Sequence, residues 1–149
     1  MIIIGVDPGA SGGVALLNLP HTVSAWSLRD YTLTDQWDSI FDYLSGIYGT
    51  QAYLESVHSM PRDGVRSAFS FGKSYGNLEA FLVAAGIPFE RVTPSVWQKE
   101  FGLIKRKGET HTEKKNRHKA LAQEMFPSVK VTHAISDALL LAEYGRRQK

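Results

Sequence analysis

The run IIIGV at residues 2–6 ends in Asp7, and that ending constrains the chain more than any other feature. Ile2, Ile3, Ile4 and Val6 are β-branched and apolar, the mark of a buried strand. Asp7 then places a carboxylate at the strand's lip, and Pro8, Gly9, Gly12 and Gly13 turn the chain immediately afterwards. A carboxylate taken out of water costs several kcal/mol or more unless something pairs with it. Asp7 therefore asks for a partner that the first strand does not contain.

The remaining pattern says where that partner comes from. Residues 13–19 and 23–28 read as two further short strands, antiparallel because their connections are tight. Over 35–48 the apolar positions Trp37, Ile40, Phe41, Leu44, Ile47 and Tyr48 keep a helical spacing between a cap at Thr34 or Asp35 and a stop at Gly49. AYLESV, 52–57, reads as a strand ending near Glu55. A polar loop from Ser56 to about Arg66 leads into a long helix through Ala85, whose first half Gly72 and Gly76 weaken. PFERV supplies a fifth strand, and Thr93-Pro94 opens a short helix because proline suits the first helical position. A charged linker, 103–111, precedes a helix over 112–126 that Pro127 closes, and the last helix runs from Thr132 or His133 to Gly145.

This order predicts one α/β domain over 1–149, with a mixed sheet whose later strands arrive by right-handed crossovers. The helix after the third strand would return 52–55 alongside the first strand. If the two are parallel neighbours, Asp7 and Glu55 stand at the same end of the sheet. The last helix, THAISDALLLAEYG, places His133 and Asp137 four apart on one face of an almost continuously apolar segment. Packed on the sheet, that helix would carry both toward the two acids. Taken singly, each of these residues also has an ordinary reading, as a cap or a dipole partner. Together they form a set suited to hard divalent cations, which want several carboxylate oxygens from different elements.

Charge adds a second signal. The net charge is +2, but residues 99–119 hold eight basic and three acidic residues. A basic stretch on a near-neutral protein suits a polyanion, or else a solvated helix face. Cysteine is absent, which excludes disulfides and cysteine-bound zinc and fits an intracellular protein. No apolar run approaches the roughly 18 residues of a membrane span, and no basic region precedes the first apolar stretch as in a secretory signal.

Asp7 in GVDPGASGG, Glu55 in YLESV, the segment SAFSFGKSYGNLEAFLVAAGIPFERVTPSVWQK, and His133 with Asp137 in HAISDALLLAEY together resemble the RuvC-type Holliday junction resolvases. The short chain looks like their phage-encoded versions. The resemblance implies an RNase H-like fold, a mixed five-stranded sheet flanked by helices. It implies a homodimer that binds four-way or other branched DNA and nicks two opposed strands with Mg²⁺ or Mn²⁺, two ions per active site, in the cytoplasm of a bacterial host cell. Asp7, Glu55 and Asp137 match the family's acidic residues, and His133 takes the fourth ligand position, where a softer imidazole would favour Mn²⁺. Two such ions activate water on one side of a phosphodiester and stabilise the leaving oxygen on the other. The glycines after Asp7 would then leave room for a DNA backbone.

In relatives an aromatic residue shortly after the second carboxylate stacks at the junction centre; here the position is His58, with Phe69 or Phe71 as substitutes. The resemblance places Arg62, Arg66 and Lys73 near that loop and facing DNA, and Lys105, Arg106, Lys107, Lys114, Lys115 and Arg117 in the basic segment. The helix around Tyr75, Leu78, Phe81 and Leu82 resembles the family's dimer helix, though a face packed inside one chain would look the same. Three other readings stay open. One is an RNase H-like nuclease acting on RNA–DNA hybrid or structured RNA. Another is an actin-like ATP-binding protein, whose first phosphate loop DPGASGG also resembles. The last is a non-catalytic DNA-binding module, which gives no reason for convergent ligands.

Overall fold

The computed structural model describes residues 1–18, 20, 22–30, 34, 35, 38, 49–58 and 64–149. Five strands, β1 (Ile2–Asp7), β2 (Gly13–Asn18), β3 (Thr22–Ser27), β4 (Thr50–Glu55) and β5 (Phe89–Val92), form one sheet in the order β3-β2-β1-β4-β5. β2 runs antiparallel to its neighbours β1 and β3, and β1, β4 and β5 are parallel. The mixed sheet expected from the sequence is therefore present, with β1 at its centre and β4 beside it. Among the described residues four complete helices accompany the sheet: α1 (Val65–Ala84), α2 (Pro94–Glu100), α3 (His111–Met125) and α4 (His133–Arg147). The helix expected over 35–48 falls almost wholly outside the described residues. Among the described residues no helix is long and apolar enough to cross a membrane.

The two-residue period of a strand sorts β1 between two cores. Ile2, Ile4 and Val6 point to one face, where they meet Leu78, Phe81 and Leu82 of α1. Ile3 points to the other, where it packs with Ala138, Leu139 and Ala142 of α4. Burying each such aliphatic side chain contributes about 1.5–3 kcal/mol. Asp7 keeps the parity of Ile3, so its side chain leaves the sheet on the α4 side. Glu55 keeps the parity of Tyr53, which also belongs to the α4 core.

Helix α4 lies unusually low on that face because glycines receive it. A Cβ on Gly5 would stand 2.1 Å from the Ala138 carbonyl oxygen, and one on Gly13 would stand 2.6 Å from that of Ala134. Gly12 likewise clears the Asp7 carbonyl, where a Cβ would come within 2.0 Å. The expectation that these glycines make room for DNA is thus corrected for Gly12 and Gly13, since their space is filled by the protein's own backbone. Helix α1 behaves differently. Only Leu78, Phe81 and Leu82 are buried, and the helix runs unbroken through Gly72 and Gly76, with nothing within 4 Å of where a Cβ would stand on either.

Candidate active site

The parallel register of β1 and β4 brings the first two acids together. Gly5 pairs with Tyr53 and Val6 with Leu54, so Asp7 comes opposite Glu55 at the carboxyl end of the sheet. Asp137, on the second turn of α4, descends onto the same edge from above. All three are buried, with relative exposures of 8% for Asp7, 7% for Glu55 and 5% for Asp137. Three carboxylates supplied by three elements thus share one dry corner of the fold.

Their protonation follows from what surrounds each. Burial pushes the Asp7 carboxyl well above its ordinary value, and the charges of Glu55 and Asp137 push it further. Asp7 and Glu55 also share a hydrogen bond that favours the proton on Asp7. Burial likewise raises Glu55, against the opposing effect of the Trp97 indole, whose Nε1–H donates to Glu55 Oε1 at 2.9 Å. For Asp137 burial again acts upward, but the His118 bond and the Lys115 charge outweigh it and hold its pKa below the usual value.

Asp137 is the most heavily partnered of the three. Its Oδ1 lies 2.8 Å from His118 Nδ1 and accepts from Ser136 Oγ at 3.3 Å. Its Oδ2 accepts from Lys115 Nζ at 2.7 Å. Because an ionised carboxylate only accepts, the His118 tautomer that fits carries its proton on Nδ1. Trp97 and His118 are 0% and 1% exposed and meet edge to face, with ring centroids 5.5 Å apart. One buried aromatic pair therefore holds both Glu55 and Asp137.

Neither Trp97 nor His118 stands out in the sequence, and Lys115 stands out there only as one cation of a basic run suited to DNA. The spacing of Lys115, His118 and Ala122 does mark one face of α3, but nothing local says that this face meets α4.

His133 is not brought to the carboxylates. It is exposed at the start of α4, and its Nε2 lies 2.9 Å from Asn116 Oδ1 on α3. Sharing a helical face with Asp137 is not sufficient, because His133 meets Asn116 of α3 while Asp137 meets Lys115 and His118.

The basic segment divides into two groups. Arg117 pairs with Glu109 at 2.6 Å and donates to the Gly102 and Ile104 carbonyls, so it staples the 101–110 loop to α3. That pairing holds the Glu109 carboxyl down at about 2. Lys114 donates to Gln98 Oε1 at 2.8 Å. Lys105, Arg106 and Lys107 are exposed, as are His58, Arg66 and Lys73, while Arg62 lies outside the described residues. Phe69 is 75% exposed, and Phe71 lies over Gly9 beside the Asp7 turn, within 3.5 Å of where a Cβ there would be.

The donor set suits a hard divalent cation, for three buried carboxylates repel one another and the largest relief would come from positive charge. The present arrangement is not itself a ligand cage. Among the described residues, no group of three histidine or acidic side chains stands disposed to hold a metal ion. Lys115 occupies Asp137 instead.

No protein-family model matches the sequence, and no curated protein matches it. Solved structures do match. The RuvC of T. thermophilus in complex with Holliday junction substrate aligns with a TM-score of 0.59 at 15% identity, covering 99% of this chain and 96% of that one. A structure described as Thermus thermophilus RuvC aligns with a TM-score of 0.58, again at 15% identity and with the same coverage. At that identity the likeness is one of fold, the RNase H-like mixed five-stranded sheet flanked by helices. Since the bacterial chain is covered almost end to end, shortness does not mark the phage-encoded type.

Proposed function

We propose that this chain is a RuvC-type endonuclease that cuts branched DNA, four-way junctions above all, by metal-dependent hydrolysis of phosphodiesters in two opposed strands. The observation that carries the reading is the convergence of Asp7, Glu55 and Asp137 at one sheet edge, on a scaffold shared with a junction resolvase. Asp7, Glu55 and Asp137 would hold Mg²⁺ or Mn²⁺, which when bound supplies an activated water and stabilises the leaving oxygen. His133, expected as a fourth ligand, is instead bonded to Asn116. Trp97 and His118 fix the orientation of Glu55 and Asp137 and exclude water behind them.

A resolvase needs two sites on one symmetric junction, which a two-fold dimer supplies. The projecting half of α1 favours this arrangement: Val65 is 89% and Phe69 75% exposed, and Val83 farther along is 66% exposed. Work on replicating or recombining DNA would put the protein in the cytoplasm of a bacterial cell.

The deciding experiment compares cleavage of a four-way junction, linear duplex, Y-shaped DNA and RNA–DNA hybrid, each with EDTA, Mg²⁺ or Mn²⁺. Paired nicks in the junction, only with metal and only in fractions that sediment as dimer, are expected. Preferential cutting of the hybrid would instead make this a different RNase H-like nuclease.

Lys105, Arg106 and Lys107 project from the stapled loop, where they can meet phosphates. Replacing all three by glutamine should weaken binding to every DNA form. It should also flatten the salt dependence, by roughly one unit of log–log slope for every phosphate that is no longer neutralised. An unchanged slope would return them to the solvated surface.

A further inference from the structure

Two clefts meet at one hydrogen bond beside the acids. The first, of about 510 Å³, is lined by Arg29 and Asp30 just beyond β3, by His111 and Lys115 of α3, and by His133 of α4. Lys115 Nζ holds Asp137, so this cleft opens onto the acid corner. The second, of about 500 Å³, lies between the stapled loop and α3 and is lined by Arg106, Lys107, Asn116 and Arg117. Asn116 Oδ1 in the second cleft lies 2.9 Å from His133 Nε2 in the first, so the two adjoin across that bond.

Their charge is one-sided once the carboxylates are accounted for. Glu109 is held by Arg117 and by the Arg106 amide, and Glu113 closes the capping box of α3 with Thr110. Asp30 is the one other acid among the described lining residues. Against it stand Arg29, Arg106 and Lys107, none of which has an ion pair among the described residues. The Lys115 ammonium has three donors and spends one on Asp137. The hydroxyls of Ser11, Thr112 and Thr132 add neutral donors to the first cleft. Free cations spread along two adjoining clefts suit a chain of phosphates better than a single small anion.

We propose that the two clefts form one groove for a single DNA strand, the strand that carries the phosphate to be cut. Arg29 and His111 hold its backbone on one flank of that phosphate, and Arg106 and Lys107 hold it on the other. The His133–Asn116 bridge lies beneath the backbone between them. This inference rests on the nuclease reading above and adds to it the path of the cut strand. Contacts to phosphate position a strand without reading its sequence, so the groove fixes register and not base preference.

The test measures binding of a four-way junction in EDTA, with one neutral methylphosphonate placed in turn at each position of one strand. In wild type a continuous run of phosphates should prove sensitive, and the nick made on adding Mg²⁺ should fall inside that run. The double variant Arg29→Gln, His111→Gln should bind about ten-fold more weakly, as for two lost phosphate contacts, and lose the sensitivity on one flank only. Arg106→Gln with Lys107→Gln should lose it on the opposite flank. Lys99→Gln, exposed on α2 and outside both clefts, should leave the profile unchanged. No sensitive run in wild type, or variants that lose both flanks alike or neither, would overturn the groove. Metal-dependent nicking with those unaltered profiles would leave the nuclease reading standing. The expected one-sided losses with no nick under Mg²⁺ or Mn²⁺ would support the groove and end the nuclease reading instead.

Discussion

Asp7→Asn is expected to reduce metal-dependent cleavage of branched DNA by at least ~100-fold, since a lost metal ligand removes several kcal/mol of transition-state stabilisation. The same substitution should raise the melting temperature of the metal-free protein by about 2–4 °C, the equivalent of about 1 kcal/mol at this chain length. The sign follows from the raised pKa of Asp7. A carboxyl whose pKa is higher folded than unfolded contributes stability below its unfolded value, near pH 4, and loses it as pH rises through the folded value. Asparagine has nothing to ionise, so the advantage of the variant should vanish near pH 4 and grow toward neutral pH. Asp137→Asn should abolish cleavage too but with the opposite effect on stability, because it strands the half-buried Lys115 ammonium without its counter-charge and weakens the His118 hydrogen bond from a charged to a neutral acceptor. Melting curves in EDTA between pH 4 and 8, beside junction cleavage, check both. Cleavage by Asp7→Asn near the wild-type rate would end the metal-site hypothesis.

Gly5→Ala is expected to destabilise the fold by about 1–3 kcal/mol or more, the usual cost of forcing extra volume into a packed core. Its methyl group would stand 2.1 Å from the Ala138 carbonyl oxygen and 2.6 Å from the Ala142 nitrogen, both helix backbone that cannot rotate away. Helix α4 must lift, and Asp137 rides on it. A shift of about 1 Å in a reacting group can cost 100-fold in rate, so activity should fall further than the folded fraction does. Gly76→Ala on α1 is the control. Nothing lies within 4 Å of its added methyl, and alanine in a helix interior gains ~0.5–1 kcal/mol over glycine. Denaturant melts of the two variants should therefore move in opposite directions. An unshifted Gly5→Ala curve would mean that α4 is seated less tightly than the backbone contacts require.

The strands are legible because their signals are local. IIIGV stops at Asp7, GVALLN and AYLE end at turn residues, and each boundary falls within two residues of its expected place. Asp7, Glu55 and Asp137 can be nominated because a charge at the end of an apolar run stands out against its neighbours. His118 and Trp97 do not stand out in this way. A histidine in HTEKKNRHK looks solvated, and a tryptophan in a short helix looks like ordinary core, until the docking of α2 and α3 points both at the same acids. Lys115 is hidden by its company, since one lysine in a basic run carries no mark saying that it turns inward. His133 misleads for the converse reason, because helical spacing reports a shared face and not which neighbour each residue on that face meets.

The order of the three acids along the chain has a consequence for biosynthesis. Asp7 and Glu55 belong to strands made early, but Asp137 belongs to α4, which must be laid across Gly5 and Gly13 before the corner closes. A growing chain folds from its amino-terminal part first. Until the ribosome has released α4, the nascent protein holds two of its acids and neither His118 nor Lys115 has an Asp137 to meet. On the function proposed above, the chain would in this way be born unarmed, acquiring its chemistry only with the helix that completes its core.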